Sequence, residues 1–129
     1  TTEIYTLSLH DALPICSTPL FSAKLAGKPV KVSRGPSWID GIGSTSVLPK
    51  MWPLLDALVD DVVVVSHKEA AKALRTLAQD AHLVSEGAGA VALAAALRPE
   101  FSGLNIVSVI SGGNIDMTTF SRILHGEDF

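Results

Sequence analysis

The run Asp61-Val62-Val63-Val64-Val65 passes without a break into Ser66-His67-Lys68-Glu69, and this junction limits the fold more than any other stretch of the chain. Four consecutive valines are stiff at χ1 and apolar at every position, which suits a parallel strand covered on both faces better than one with a wet side. Ser66 and Glu69 have the spacing of a capping box, in which the serine accepts from the third helical N–H and the glutamate reaches back. The helix they open, over about 67–79, places Ala70, Ala73, Leu74 and Leu77 on one side. A strand that feeds directly into a capped helix is half of a βαβ unit.

The remainder repeats the alternation. Leu20 to Leu25 reads as a short helix ended by Gly27, KPVKV at 28–32 as a short strand, and SRGPSWIDGIGS at 33–44 as a loop dense in Gly, Pro and Ser. Leu54, Leu55, Leu58 and Val59 recur at helical spacing, and Pro53 is tolerated only in a first turn, so a helix runs from about Trp52 to Val59. LVSEGAGAVALAAAL at 83–97 reads as a short strand or extended entry, a turn at Gly87 and Gly89, and a helix of small residues stopped before Pro99. LNIVSVI at 104–110 reads as a second buried strand, followed by SGGN and a helix over about 116–124 capped by Asp116. Strands alternating with helices predict an α/β fold, a partial parallel sheet with helices on both faces. Because the sheet is partial, apolar surface and strand edges are expected to lie open.

Composition closes off several functions. The formal charge is −3 with no Lys/Arg cluster, which argues against a nucleic-acid or anionic-membrane surface. The apolar runs 62–65 and 90–97 are far short of the roughly 20 residues that span a bilayer. One cysteine, Cys16, allows no internal disulfide, consistent with a reducing compartment, and the cytoplasm is the expected location.

The first fifteen residues, TTEIYTLSLHDALPI, stand apart. Back-translated in one frame, they resemble a common short-read sequencing adapter without a mismatch. We therefore treat 1–15 as an adapter-derived leader that is not native and 16–129 as the domain proper. Cys16 straddles that junction and is a poor nucleophile candidate.

Chemistry concentrates in three places. The strand ending in Ile110 delivers Ser111-Gly112-Gly113-Asn114 to the start of a helix, where open α/β sheets bind ligands and where glycines allow close backbone approach. An ordinary strand-to-helix turn would use the same residues. Glu86, ahead of Gly87-Ala88-Gly89, is either a site carboxylate or a first-turn acid favoured by the helix dipole. Asp40-Gly41 marks a turn or the edge of a ligand site. His10, His67, His82 and His125 lack ligand-like spacing and read as surface or incidental. No metal site, P-loop or serine-hydrolase elbow is visible.

Taken together, WIDGIG at 38–43, LVDDVVVVS at 58–66, LVSEGAGAVALAA at 83–95 and IVSVISGGNID at 106–116 resemble the C-terminal half of the catalytic domain of threonine/serine dehydratases. These are fold-type II pyridoxal-phosphate enzymes of the tryptophan-synthase-β type. Serine racemases share the segments. The resemblance implies pyridoxal 5'-phosphate as cofactor, with Ser111 hydrogen-bonding its ring nitrogen, Gly112 and Gly113 passing close to the ring, Glu86 facing the cofactor pocket and Gly41 in a loop lining it. Many relatives have Pro where this chain has Gly87. The implied reaction is loss of water from L-threonine or L-serine to give a 2-oxo acid and ammonia. The resemblance places the Schiff-base lysine and the phosphate-cradling loop in the N-terminal half, so no catalytic residue is assigned here and the chain by itself is expected to be an inactive fragment. The implied partners are a small amino-acid substrate, no nucleic acid and no membrane, with a homo-oligomeric parent. A racemase-like fragment and a non-catalytic α/β ligand-binding module are the alternatives.

Overall fold

The computed structural model describes residues 4–7 and 12–127. Its elements follow in the order β1 (Ile4–Leu7), β2 (Ala12–Pro14), α1 (Pro19–Ala26), α2 (Trp52–Leu58), β3 (Val63–Val65), α3 (His67–Asp80), α4 (Gly87–Ala96), β4 (Asn105–Ser108) and α5 (Met117–Leu124), with a single 3₁₀ turn at Pro99–Phe101. The strands form two parallel pairs, β1 with β4 and β2 with β3. In the second pair Ala12 lies opposite Val63 and Pro14 opposite Val65. The parallel α/β arrangement is therefore present, as two pairs rather than one continuous sheet among the described residues.

The β2–β3 pair carries helices on both faces. Ala12 and Val65, both fully buried, join the larger core with Ala70, Leu74, Val91 and Ile123 from α3, α4 and α5. Leu13 faces the other way, into a smaller core with Leu20, Ala23, Val47 and Val59. The period-two alternation of a strand accounts for the division. Part of the segment set aside on sequence thus completes a layer of the core. Strand pairing is a backbone property, so the pairing says where 12–14 packs and nothing of its origin.

At the centre lies α4, which touches α3 and all four strands. Eight of its ten residues are buried, and they are Gly, Ala and Val apart from Leu93. A helix apolar all round belongs inside, and its small side chains let the surrounding elements approach closely. Gly87 and Gly89 lie within this helix rather than in a turn before it. The reason is space, since a Cβ on Gly87 would stand 2.5 Å from the Trp38 ring and one on Gly89 1.7 Å from the Ser111 carbonyl oxygen.

The capping box of α3 forms as expected. Ser66 Oγ accepts from Glu69 N at 3.2 Å, and Ser66 N donates to Glu69 Oε2 at 2.7 Å. Glu69 also receives Arg98 Nε at 2.7 Å, while Arg98 Nη2 donates to the Val64 carbonyl at 2.6 Å. Partial burial pushes the Glu69 pKa up, but the hydrogen bonds from Arg98 and Ser66 outweigh it and hold the carboxyl at about 2, against an ordinary 4.5. One arginine so ties the end of α4 to the strand and to the helix start that follows it.

Three expectations change. The segment 28–32 is not a strand; its backbone reaches other segments through Lys28 N to Ala23 O at 3.2 Å and Val32 N to Thr45 O at 2.8 Å. Residues 83–86 do not form the short strand; they lead into α4, with Glu86 in extended backbone. β4 is not buried: Val107 is 50% exposed, as is Val109 just beyond the strand at 46%. Its partner among the described residues is β1 alone, and exposed and half-buried residues alternate along it, so one face lies open.

Candidate active site

Glu86 is the hub of the site. It is the N-cap of α4, with extended backbone, and its N–H donates to the Gly112 carbonyl at 3.3 Å. Its carboxylate lies against two glycines from distant parts of the chain. A Cβ on Gly41 would stand 2.7 Å from Glu86 Oε1, and a Cβ on Gly112 would stand 2.6 Å from the same oxygen. Any side chain at either position would have to displace the carboxylate.

Gly112 has a second reason to be glycine. Its φ is +70°, the left-handed region that other residues enter at a cost. That conformation turns the chain sharply after β4, so that Ser111 is half-buried while Gly112 and Gly113 lie at the surface. The Ser111 carbonyl fills the notch left by Gly89, and Ile115 N donates back to the Gly113 carbonyl at 3.1 Å. Beyond the turn, Asp116 Oδ1 accepts from Thr119 N at 2.8 Å and starts α5. The backbone hydrogen bonds from Thr119 hold the Asp116 carboxyl below its ordinary pKa.

The fold therefore brings together Gly41, Glu86, Ser111, Gly112 and Gly113, five residues spread over 73 positions of sequence. The backbone bends at 41–42, and Gly41 lies against the carboxylate there. A cavity of about 170 Å³ opens beside Glu86, lined also by Ser37, Trp38, Asp40, Asn114 and Asp116. A larger one, about 500 Å³, has Gly41 on its rim but is walled by Leu13, Leu20, Val47 and Leu55. Only the smaller of the two gathers charged and polar side chains from several segments, the kind of lining that ligand sites have.

His67 was missed by sequence reasoning. It is half-buried, and its Nε2 lies 2.9 Å from Ser37 Oγ, with the ring 6.4 Å from that of Trp38. A histidine directly behind a helix N-cap carries no periodic signal, and its loop partner lies 30 positions away. His82 and His125 are exposed, as expected, and His10 lies outside the described residues.

Parallel strands, a buried small-residue helix and a glycine turn packed against the Glu86 carboxylate make up a partial α/β domain. The family model described as "Pyridoxal-phosphate dependent enzyme" matches residues 12–112. An L-threonine ammonia-lyase of Geobacter sulfurreducens is 40% identical over 115 residues, covering 88% of this chain and 28% of that protein. A serine racemase of Rattus norvegicus is 32% identical over 127 residues, covering 94% of this chain and 38% of the relative. In three dimensions, the processed form of threonine deaminase isoform 2 from Solanum lycopersicum superposes with a TM-score of 0.80 at 26% identity, over 90% of this chain and 36% of that one. The chain belongs to the pyridoxal-phosphate-dependent enzyme family and has its fold-type II architecture. It spans about a quarter to two-fifths of the length of these relatives.

Proposed function

We propose that this chain is the ring-binding part of a pyridoxal-phosphate-dependent threonine/serine dehydratase, a lyase that converts L-threonine or L-serine to a 2-oxo acid and ammonia. The observation that carries this reading is the meeting of the Ser111-Gly112-Gly113 turn with the Glu86 carboxylate, a residue that also lines a polar cavity.

The residues present fit one end of the cofactor. Gly112 and Gly113 leave bare backbone at the surface beside a half-buried serine, which suits the edge of a planar ring. Pyridoxal phosphate, when bound, supplies the electron sink that makes the substrate's α-proton removable. For this chain's own part, Ser111 would offer a neutral hydroxyl to the ring nitrogen. Unlike a carboxylate it would not hold that nitrogen protonated, an electronic setting that suits β-elimination. The two glycines would let the backbone pass close to the ring. Glu86, pinned by Gly41 and Gly112, supplies an acceptor on the adjoining wall.

The cavity lining holds no lysine. On this reading the covalent anchor and general base come from elsewhere, and we propose that the 129-residue chain alone turns over no substrate. For the longer parent we propose a small amino-acid substrate, no nucleic-acid or membrane partner, and a cytoplasmic homo-oligomer. Among the described residues no helix is long and apolar enough to cross a membrane.

Two assays test the reading. The purified chain, given pyridoxal phosphate and L-threonine, is expected to yield neither 2-oxobutanoate nor a borohydride-fixed lysine adduct; either product would overturn the inactive-fragment reading. The complete gene product is expected to release ammonia and 2-oxobutanoate. D-serine as its main product would move the assignment to a racemase, which the similarity to the rat enzyme favours as the second reading. Ligand binding without any turnover would leave a non-catalytic binding module.

A further inference from the structure

The loop 37–41 forms one wall of the proposed site, and it is held from two sides. On one side, a Cβ on Gly87 would stand 2.5 Å from Trp38 Cζ3 and 2.9 Å from Ile39 Cγ1, so the loop rests directly on the first turn of α4. On the other, Ser37 Oγ lies 2.9 Å from His67 Nε2 at the first residue of α3. The same hydroxyl accepts the Ile39 N–H at 3.0 Å, and Ile39 is fully buried. A serine hydroxyl has one proton and two lone pairs, so both bonds can coexist. The Ile39 N–H takes one lone pair, and the bond to the imidazole runs in either direction according to the tautomer.

α3 does not need His67. Its first turn is closed by Ser66 and Glu69, and Arg98 reinforces that box. The imidazole bond to Ser37 therefore has its consequence in the loop. We propose that His67 is a positioning residue: through Ser37 it latches loop 37–41 onto the head of α3, which keeps Trp38 and Asp40 in the cavity wall and Gly41 against the Glu86 carboxylate. This rests on the reading that the Glu86 cavity is the reacting site, and the latch itself is a property of the chain without ligand.

The test is amide hydrogen exchange and ¹H–¹⁵N spectra of the 129-residue chain. His67→Ala is expected to speed exchange of the Ile39 amide by about tenfold or more, and to shift one of the two indole N–H signals, while Leu74 and Leu77 amides exchange as before. His67→Gln, which retains a hydrogen-bonding nitrogen, is expected to restore most of the Ile39 protection, and Ser37→Thr to preserve it. Ser37→Ala reports the same latch from the loop side should His67→Ala not fold. Unchanged Ile39 exchange in His67→Ala, or equal acceleration throughout α3, would overturn the latch and reduce His67 to a space-filling residue. No cofactor enters the measurement, so its failure leaves the cofactor assignment standing, and failure of the turnover assays leaves the latch standing.

Discussion

The two parallel strand pairs live in opposite environments. β2–β3 is closed in by α3 and α4 on one side and by α1 and α2 on the other, and Val65, Leu74 and Val91 are completely buried there. β4 has Val107 and Val109 half-exposed, with Leu83 and Val84 also open, and it ends in the glycine turn of the site. The contrast separates stability from function. Interior packing resists change at β2–β3, and the open edge is where backbone is left accessible to another molecule.

The point where the two regions touch is expected to be the most sensitive. Gly89→Ala puts a Cβ 1.7 Å from the Ser111 carbonyl, backbone that cannot swing away. We expect loss of at least about 3 kcal/mol, read as loss of a cooperative thermal transition. A Gly89→Ala protein that melts like the parent would show that α4 and the site turn are not rigidly docked. Next, Leu74→Ala should cost about 2–5 kcal/mol by chemical denaturation, because Leu74 is fully buried and leaves a cavity.

Removing Arg98 is intermediate. Arg98→Ala strips Glu69 and the Val64 carbonyl of a donor, and a loss of about 1–3 kcal/mol is expected. The same contact has a pH signature. Glu69 has a folded pKa of about 2, below its ordinary 4.5, so its stabilisation is present above about pH 4.5 and is lost as pH falls toward 2. Melting temperatures of parent and Arg98→Ala should therefore converge across that window, and parallel curves would show that the pair does not contribute.

Asp116→Ala deletes the N-cap of α5 at an exposed position and should lower the melting temperature by less than Arg98→Ala does. The smallest effect belongs to the open edge. Val107→Thr is expected to stay within about 0.5 kcal/mol of the parent. A large loss at Val107, comparable to Leu74→Ala, would mean that β4 is covered in solution and would remove the contrast between the pairs.

Local chemistry was readable in advance where neighbours in sequence are also neighbours in space. The Ser66–Glu69 box, the left-handed Gly27 that ends α1 and the Asp116 cap all depend on residues within a turn of each other. The five candidate residues could also be named in advance, since a strand that empties into Ser-Gly-Gly and a glutamate ahead of a glycine-rich helix each have a chemical reason to be considered. What could not be read was how they meet. Gly87 and Gly89 look like turn formers until Trp38 and the Ser111 carbonyl are seen in the space a side chain would take. Val107 and Val109 look like core until the absence of a covering layer among the described residues is seen. The histidine behind the Ser66 cap looks incidental until Ser37 is found beside it.

The sequence by itself determined the alternation of strand and helix, the caps, and which residue types could face a cofactor, because these follow from backbone geometry and spacing over a few residues. Only the tertiary structure decided that Gly41 and Gly112 clasp one carboxylate, that α4 is the helix everything packs on, and that one strand pair is sealed and the other open. Those outcomes depend on which surfaces arrive at the same place, and close packing, unlike hydrophobic pattern, is a relation between segments that the order of residues does not display.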